Sequence, residues 1–203
     1  MKVRRSRLLH RGGVPLDASL YFVASEDRYV QENYFEALER NGVSDARRVK
    51  VQVLPTEDNR SSPEAVLRRL KALQVDAQPF DQFWVSIDVD RWEKDEIARV
   101  IKEADEVGFR VAVSNPCFEV WLVLHLEAEP PTGACAEVTA QLKRLVPGYT
   151  KAHLPEQPWT LAAVRLACAR ARASHDQGWW PRTSGSSLYA LVEQILPPVA
   201  AQP

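Results

Sequence analysis

Apolar residues along the chain fall into two rhythms. Four short stretches are rich in Val, Ile and aromatic residues: 20–24 (LYFVA), 49–54 (VKVQVL), 83–87 (FWVSI) and 109–113 (FRVAV). Most are continuous rather than alternating, which suits strands covered on both faces. Between them, apolar residues recur at helical spacing over 31–40, 65–73 and 95–107. Ser62 is placed to cap the second of these helices, with Pro63 at its first position, and Gly108 ends the third. This alternation predicts an α/β fold: a mainly parallel four-stranded sheet with helices on both faces.

After Val113 the pattern changes to helices without strands, over 116–126, 134–146, 161–174 and 187–196. Loops containing Pro, Gly and Trp separate them, and no internal repeat is visible. The organisation expected is an α/β half from about residue 18 to 115 and a helical half packed on it.

Composition narrows the class. A chain of 203 residues suits one domain of ordinary size. With 45% hydrophobic residues, 26% charged residues and a net charge of -1, it is neither a disordered chain nor a polycation. No apolar run reaches the ~18 residues of a membrane span, and residues 1–10 lack the apolar core of a signal peptide. Cys117, Cys135 and Cys168 form no CxxC pair and no even disulfide framework, so a reducing, cytoplasmic location is the expectation.

Charge is segregated along the chain. Residues 81–137 carry 13 acids against 5 bases, and 111–142 contain no Lys or Arg. Residues 140–182 reverse this, with 7 bases against Glu156 and Asp176, and the first 16 residues add 5 bases and no acid. An acidic middle between basic ends is what a metal site beside a polyanion track needs. Solvated helix faces would give the same segregation.

Ligands of open parallel sheets bind beyond the carboxyl ends of the strands. The first predicted strand runs into Ser25-Glu26-Asp27, the third into Asp88-Val89-Asp90, and the fourth into Ser114-Asn115-Pro116. Residues i and i+2 of extended chain point the same way, so Asp88 and Asp90 can share a hard cation such as Mg²⁺, with Glu26 converging from another strand. Carboxylates that end strands and cap the next helix are the ordinary alternative.

The next segment, 114–122, offers Asn115 as a helix cap and Pro116 at the first position. Glu119 lies four residues after Asn115, one too many for a capping box, so an acid in this apolar stretch needs another partner. Cys117 is expected to pack, and His125 to be a satisfied core histidine. No Rossmann or P-loop glycine pattern is present. The six tryptophans are spread out and read as packing residues.

The string SNPCFEVWLVLHL (114–126) resembles the signature of the RloB family, a Toprim-type group encoded beside AAA-class ATPases in prokaryotic restriction and phage-defence loci, abortive-infection pairs included. The resemblance covers most of the chain. VASEDRYVQENYFEAL (23–38) falls where the family has a strand, Glu-Gly, Thr-Glu and Tyr-Phe; IDVD (87–90) falls on its D-x-D strand, and Tyr149 to Lys151 on its Tyr-x-Lys element. Glu26, Tyr34, Phe35, Asp88, Asp90 and Glu119 match. Asp27 stands at the Gly position, and Val30 and Gln31 at Thr-Glu.

The organisation expected is a basic N-terminal arm at 1–17, then, as the resemblance implies, a Toprim-like core at 18–126 and a helical part at 127–203 packed on it. The resemblance also implies Mg²⁺ or Mn²⁺ held by Glu26, Asp88 and Asp90. The catalytic set would be Glu26, Asp88, Asp90, Glu119 and Lys151, hydrolysing phosphodiesters of DNA or RNA. An AAA-class ATPase would be the partner; homo-oligomerisation is left open. Two rivals remain. Haloacid-dehalogenase phosphatases also place D-x-D after a buried strand, but Arg91-Trp92 does not supply their Gly/Thr-type loop. The other is a catalytically degenerate module that docks on or senses for the ATPase.

Overall fold

The structure is a computed structural model that describes residues 19–27, 29–44, 49–54, 62–73, 78–175 and 180–198. The basic arm at 1–17 lies outside them. The elements run β1 (Ser19–Ser25), α1 (Val30–Arg40), β2 (Val49–Leu54), α2 (Pro63–Lys71), β3 (Gln82–Asp88), α3 (Lys94–Glu106), β4 (Arg110–Asn115), α4 (Glu119–Val123), α5 (Cys135–Leu145), α6 (Leu161–Ala173), β5 (Gly185–Ser186) and α7 (Tyr189–Ile195). The local signals hold at α2, where the Ser62 hydroxyl accepts from the Ala65 N–H at 3.3 Å. They hold at α3 too, which turns off at Gly108 with φ +74°, a conformation that side-chain-bearing residues rarely adopt.

The sheet has five strands in the order β2-β1-β3-β4-β5. The first four are parallel, and β5 pairs antiparallel with the end of β4. This corrects the expected count of four and the expectation of no strand after residue 113. A two-residue strand carries no periodic signal. Its role is to cover the β4 edge, where Ser114 pairs with Ser186 and Asn115 with Gly185.

From β1 the chain steps to β2 on one side, then returns past β1 to β3 and β4 on the other. Right-handed crossovers then place α1 on one face and α2 and α3 on the opposite one. The packing shows that division. Leu20, Phe22, Ala24, Val85 and Ile87 pack with Val66, Leu70, Ile97 and Val100 of α2 and α3. Phe22, Phe83 and Phe109 form a stacked row on this side, with ring centroids 5.2 and 5.0 Å apart. On the other face Tyr21, Val23, Trp84 and Ala112 pack with Tyr34 and Leu38 of α1, and with Trp121, Leu142, Val164 and Val192 of the later helices.

The segment after β4 departs from expectation in three ways. The α-helix expected over 116–126 is confined to Glu119–Val123, five residues buried all round. Asn115 does not cap it: the residue is still in β4, and its Nδ2 donates to the Pro181 carbonyl at 3.0 Å. Cys117 and Cys135 form a disulfide across 18 residues of sequence, whereas no pairing was expected of the cysteines. Closing a loop of that length stabilises the fold by roughly 3 kcal/mol, by restricting the unfolded chain. Among the described residues, no helix is long and apolar enough to cross a membrane.

Candidate functional site

The strand order reverses between β1 and β3, and this switch point leaves a crevice beyond the carboxyl ends of the two strands. Ser25 is the last residue of β1 and pairs with Ser86 of β3, which puts Glu26 beside Asp88. The ladder carries on past β3, with the Val89 N–H donating to Ser114 O and the Asp90 N–H to Pro116 O, both at 3.0 Å. Glu26, Asp27, Asp88, Asp90, Tyr29, Arg91 and Lys151 line one cavity of about 220 Å³. The residues expected from two strand ends therefore meet. A larger cavity of about 600 Å³ lies near Cys168, Arg172 and Pro197, but it holds no such group of carboxylates.

Each acid has its own setting. Glu26 is held by two donors, the Asp88 N–H to Oε1 at 3.2 Å and the Trp92 indole N–H to Oε2 at 2.7 Å. Burial pushes its carboxyl up to about 8 against these donors, and the Asp90 charge adds to the rise. Asp88 is raised well above the usual carboxylate range, first by burial and then by the charges of Glu26, Glu119, Asp27 and Asp90. Its Oδ1 is buried and has no hydrogen-bond partner. Asp90, with 23% of its side chain exposed, is raised by burial, while Arg91 and Lys151 pull the other way.

Asp27 does a different job. Its Oδ1 accepts from the N–H groups of Tyr29 and Val30 at 2.6 and 2.7 Å, and its Oδ2 from Gln31 at 3.3 Å. The carboxylate satisfies amides at the start of α1 that the helix leaves open. The residue at the resembled glycine position is thus a capping residue that also lines the cavity.

Glu119 is 1% exposed and lies under the rim. Its Oε1 accepts from the Tyr149 hydroxyl at 3.1 Å and faces Lys151 Nζ at 3.4 Å. These supply the partners that a buried acid requires, and Glu119 in turn pushes the Tyr149 phenol further up, beyond the effect of burial. Lys151 reaches from the cavity wall with about half its side chain exposed. Of the other bases in 140–182, Arg165 and Arg170 donate to the carbonyls of Pro197 and Leu124, and Arg172 pairs with Glu193. Arg165 and Arg170 thus serve part-buried contacts within the protein, while Arg172 is held in an exposed ion pair.

Trp92 and Tyr149 orient Glu26 and Glu119; Tyr149 falls on the resembled Tyr-x-Lys element, whereas no local pattern marked Trp92 as a site residue. The one available signal for Trp92 was its closeness in sequence to Asp90. His125, by contrast, is the core residue expected. Its Nδ1 lies 2.9 Å from the Trp121 carbonyl, an acceptor only, so Nδ1 carries the proton and Nε2 accepts from Tyr34 Oη at 3.0 Å. Burial lowers the ring to about 4.

The buried acids fix how the metal-free protein responds to pH. Glu26 titrates near 8 in the folded chain and near 4.3 in an unfolded one, so the native state binds more protons between those values. Stability is then lost as pH rises through that window. His125, neutral in the folded protein and titrating near 6.5 when unfolded, offsets only about half of one proton's slope at pH 6.5 and less above it, so the trend keeps its sign. With EDTA present, Tm should fall across that interval, as stability drops by at most ~1.4 kcal/mol per pH unit for each proton bound only by the native state. A Tm that is flat or rising over pH 6.5–8 in EDTA would count against buried, proton-holding acids here.

Chemically, Asp88, Asp90 and Glu26 offer carboxylate oxygens to a hard cation, and the partnerless Oδ1 of Asp88 fits one. No significant match to curated proteins or to solved structures is found. The protein-family model described as RloB-like protein matches residues 21–195, a span that takes in Glu26, the D-x-D pair, Glu119 and the Tyr-x-Lys element. The match covers most of the chain, and the protein belongs to the RloB-like family.

Proposed function

We propose that the protein is a metal-dependent nuclease of Toprim-like type, cleaving phosphodiesters of DNA or RNA as the effector of an AAA-ATPase-partnered defence system. The observation that carries this reading is Asp88. Its carboxylate is buried among four other acids, with one oxygen left without a donor. Such an arrangement is unfavourable unless a cation or protons neutralise it.

Asp88 and Asp90 would hold Mg²⁺ or Mn²⁺, with Glu26 as the third ligand or as the group that carries a proton to the leaving oxygen. The ion would stabilise charge on the oxygens of the scissile phosphate. Glu26 suits proton transfer because its carboxyl is raised to about 8 and two hydrogen bonds fix its orientation. Glu119, itself bonded by Tyr149, pairs with Lys151 at the rim, where the ammonium can neutralise a phosphate. Strand pairing sets the spacing of the acids, so the site is organised before substrate arrives.

A second reading rests on one observation. Gln31, at the resembled Glu position, is 1% exposed and its Oε1 has no donor. With one acid fewer, the chain could serve as a docking or sensing partner of the ATPase. Calorimetric titration with Mg²⁺ and Mn²⁺ separates the two, since a protein that binds neither ion is the docking module. The purified protein, with and without the ATPase, should then be tested on DNA and RNA panels. Lys151→Ala is expected to slow single-turnover cleavage by about 10²-fold with metal affinity unchanged. Wild-type turnover by that variant would remove Lys151 from the chemistry.

A further inference from the structure

Glu119 presents its two oxygens to different neighbours. Oε1 faces the cavity side, where Tyr149 and Lys151 hold it. Oε2 lies 4.0 Å from Cys135 Sγ, and Cys117 stands two residues before Glu119 in the chain. One ligand atom from each of Cys117, Glu119 and Cys135 falls within 4.8 Å of the others. Cys117 is fully buried, while Cys135 opens α5 and is partly exposed. The bond between them joins the turn before Glu119 to the first residue of α5.

We propose that Cys117 and Cys135 are a reversible thiol–disulfide modification site whose state sets how strongly Glu119 holds Lys151. In the dithiol the Cys135 S–H is a donor within reach of Glu119 Oε2. In the disulfide that donor is gone. A buried carboxylate that loses one partner depends more on those remaining, here Tyr149 and Lys151. Oxidation therefore tightens the hold of Glu119 on the Lys151 ammonium at the cavity wall, and reduction loosens it. Both S–H bonds break, one S–S bond forms, and two protons and two electrons leave. A hydroperoxide takes them, its O–O bond breaking to give water and an alcohol, or a low-molecular-weight disulfide takes them and leaves as two thiols. The partly exposed Cys135 reacts first and Cys117 resolves.

The consequence for cleavage rests on the nuclease reading; the redox chemistry and the hold on Lys151 do not. The test uses the whole protein, equilibrated in glutathione buffers of graded poise, quenched in acid, alkylated and mapped by mass spectrometry. Cys117 and Cys135 should convert together while Cys168 stays a thiol. Acetylation of Lys151 by an N-hydroxysuccinimide ester should be several-fold slower in the oxidised protein. Cys135→Ser, which keeps a hydroxyl donor and cannot cross-link, should show the faster rate with or without oxidant. Cleavage should follow the same order, several-fold faster for the dithiol. Equal Lys151 labelling in both states, or a Cys135→Ser protein that still responds to oxidant, overturns the proposal. So does a reduced protein whose pair resists alkylation because it holds Zn²⁺. Absence of cleavage in both states counts against the nuclease reading and leaves the labelling result standing.

Discussion

Asp88→Ala is expected to abolish divalent-metal binding and any cleavage that depends on it, while the metal-free protein becomes more heat-stable. The two effects share one cause. Asp88 closes β3 beside Glu26 and below Asp90, and burial together with four neighbouring acids opposes its ionisation. With no donor on Oδ1, the side chain contributes little to the fold that alanine would lose. The Asp88 N–H donates to Glu26 through the backbone, so the substitution keeps that contact. Relief of repulsion should raise stability by on the order of 1 kcal/mol, or about 2–4 °C in Tm for a chain of this size. Asp88→Asn, which keeps the shape and removes the charge, should lose metal in the same way. Calorimetry with Mg²⁺ and thermal unfolding in EDTA measure the pair of effects. Wild-type metal affinity in either variant would place the chemistry elsewhere, and a drop in Tm of several degrees would make Asp88 a structural residue.

What could be read from the sequence follows from how local each signal is. β1 to β4 were legible because strands covered on both faces need apolar residues at successive positions, as in LYFVA and FRVAV. Once β1 and β3 were placed, Glu26, Asp88 and Asp90 followed, because an acid just past a parallel strand must lie at the sheet's carboxyl edge. The bounds of α4 were not legible: a stretch apolar on every side has no period, so nothing in it marks where the helix starts or stops. β5 is too short to show a pattern, and it occupies the edge that would have freed Asn115 to cap. Contacts across the fold were invisible for a further reason. The Cys117–Cys135 bond, the Trp92 indole on Glu26 and the Tyr149 phenol on Glu119 depend on tertiary placement, not on spacing. Similarly, the basic run in 140–182 looked like a track because sequence does not show that Arg165 and Arg170 donate to backbone carbonyls or that Arg172 is paired with Glu193.

Tyr34→Ala should be among the most destabilising single substitutions in the chain, at about 3–5 kcal/mol. Tyr34 is fully buried on α1, and its ring meets those of Phe35, Phe118, Trp121, His125 and Trp159 edge-on, with centroids 5.4 to 6.3 Å away. It thus ties the helix after β1 to α4, which carries Glu119, and to the segment that follows Lys151. Alanine leaves a ring-sized void that rigid aromatic neighbours fill poorly. It also removes the hydroxyl from His125 Nε2, whose other nitrogen is already committed to the Trp121 carbonyl. Tyr34→Phe isolates that second loss: the ring stays, a buried acceptor goes unpaired, and the cost should be about 1–3 kcal/mol. Phenylalanine should also raise the pH at which His125 protonates no higher than its ordinary range, because burial remains the main force lowering it. Urea unfolding of the three proteins at pH 7 gives both differences. A phenylalanine variant as unstable as the alanine one would assign the stability to the hydrogen bond. An alanine variant within 1 kcal/mol of wild type, a bound set from the usual cost of such truncations, would mean that this aromatic cluster does not hold the two helices together.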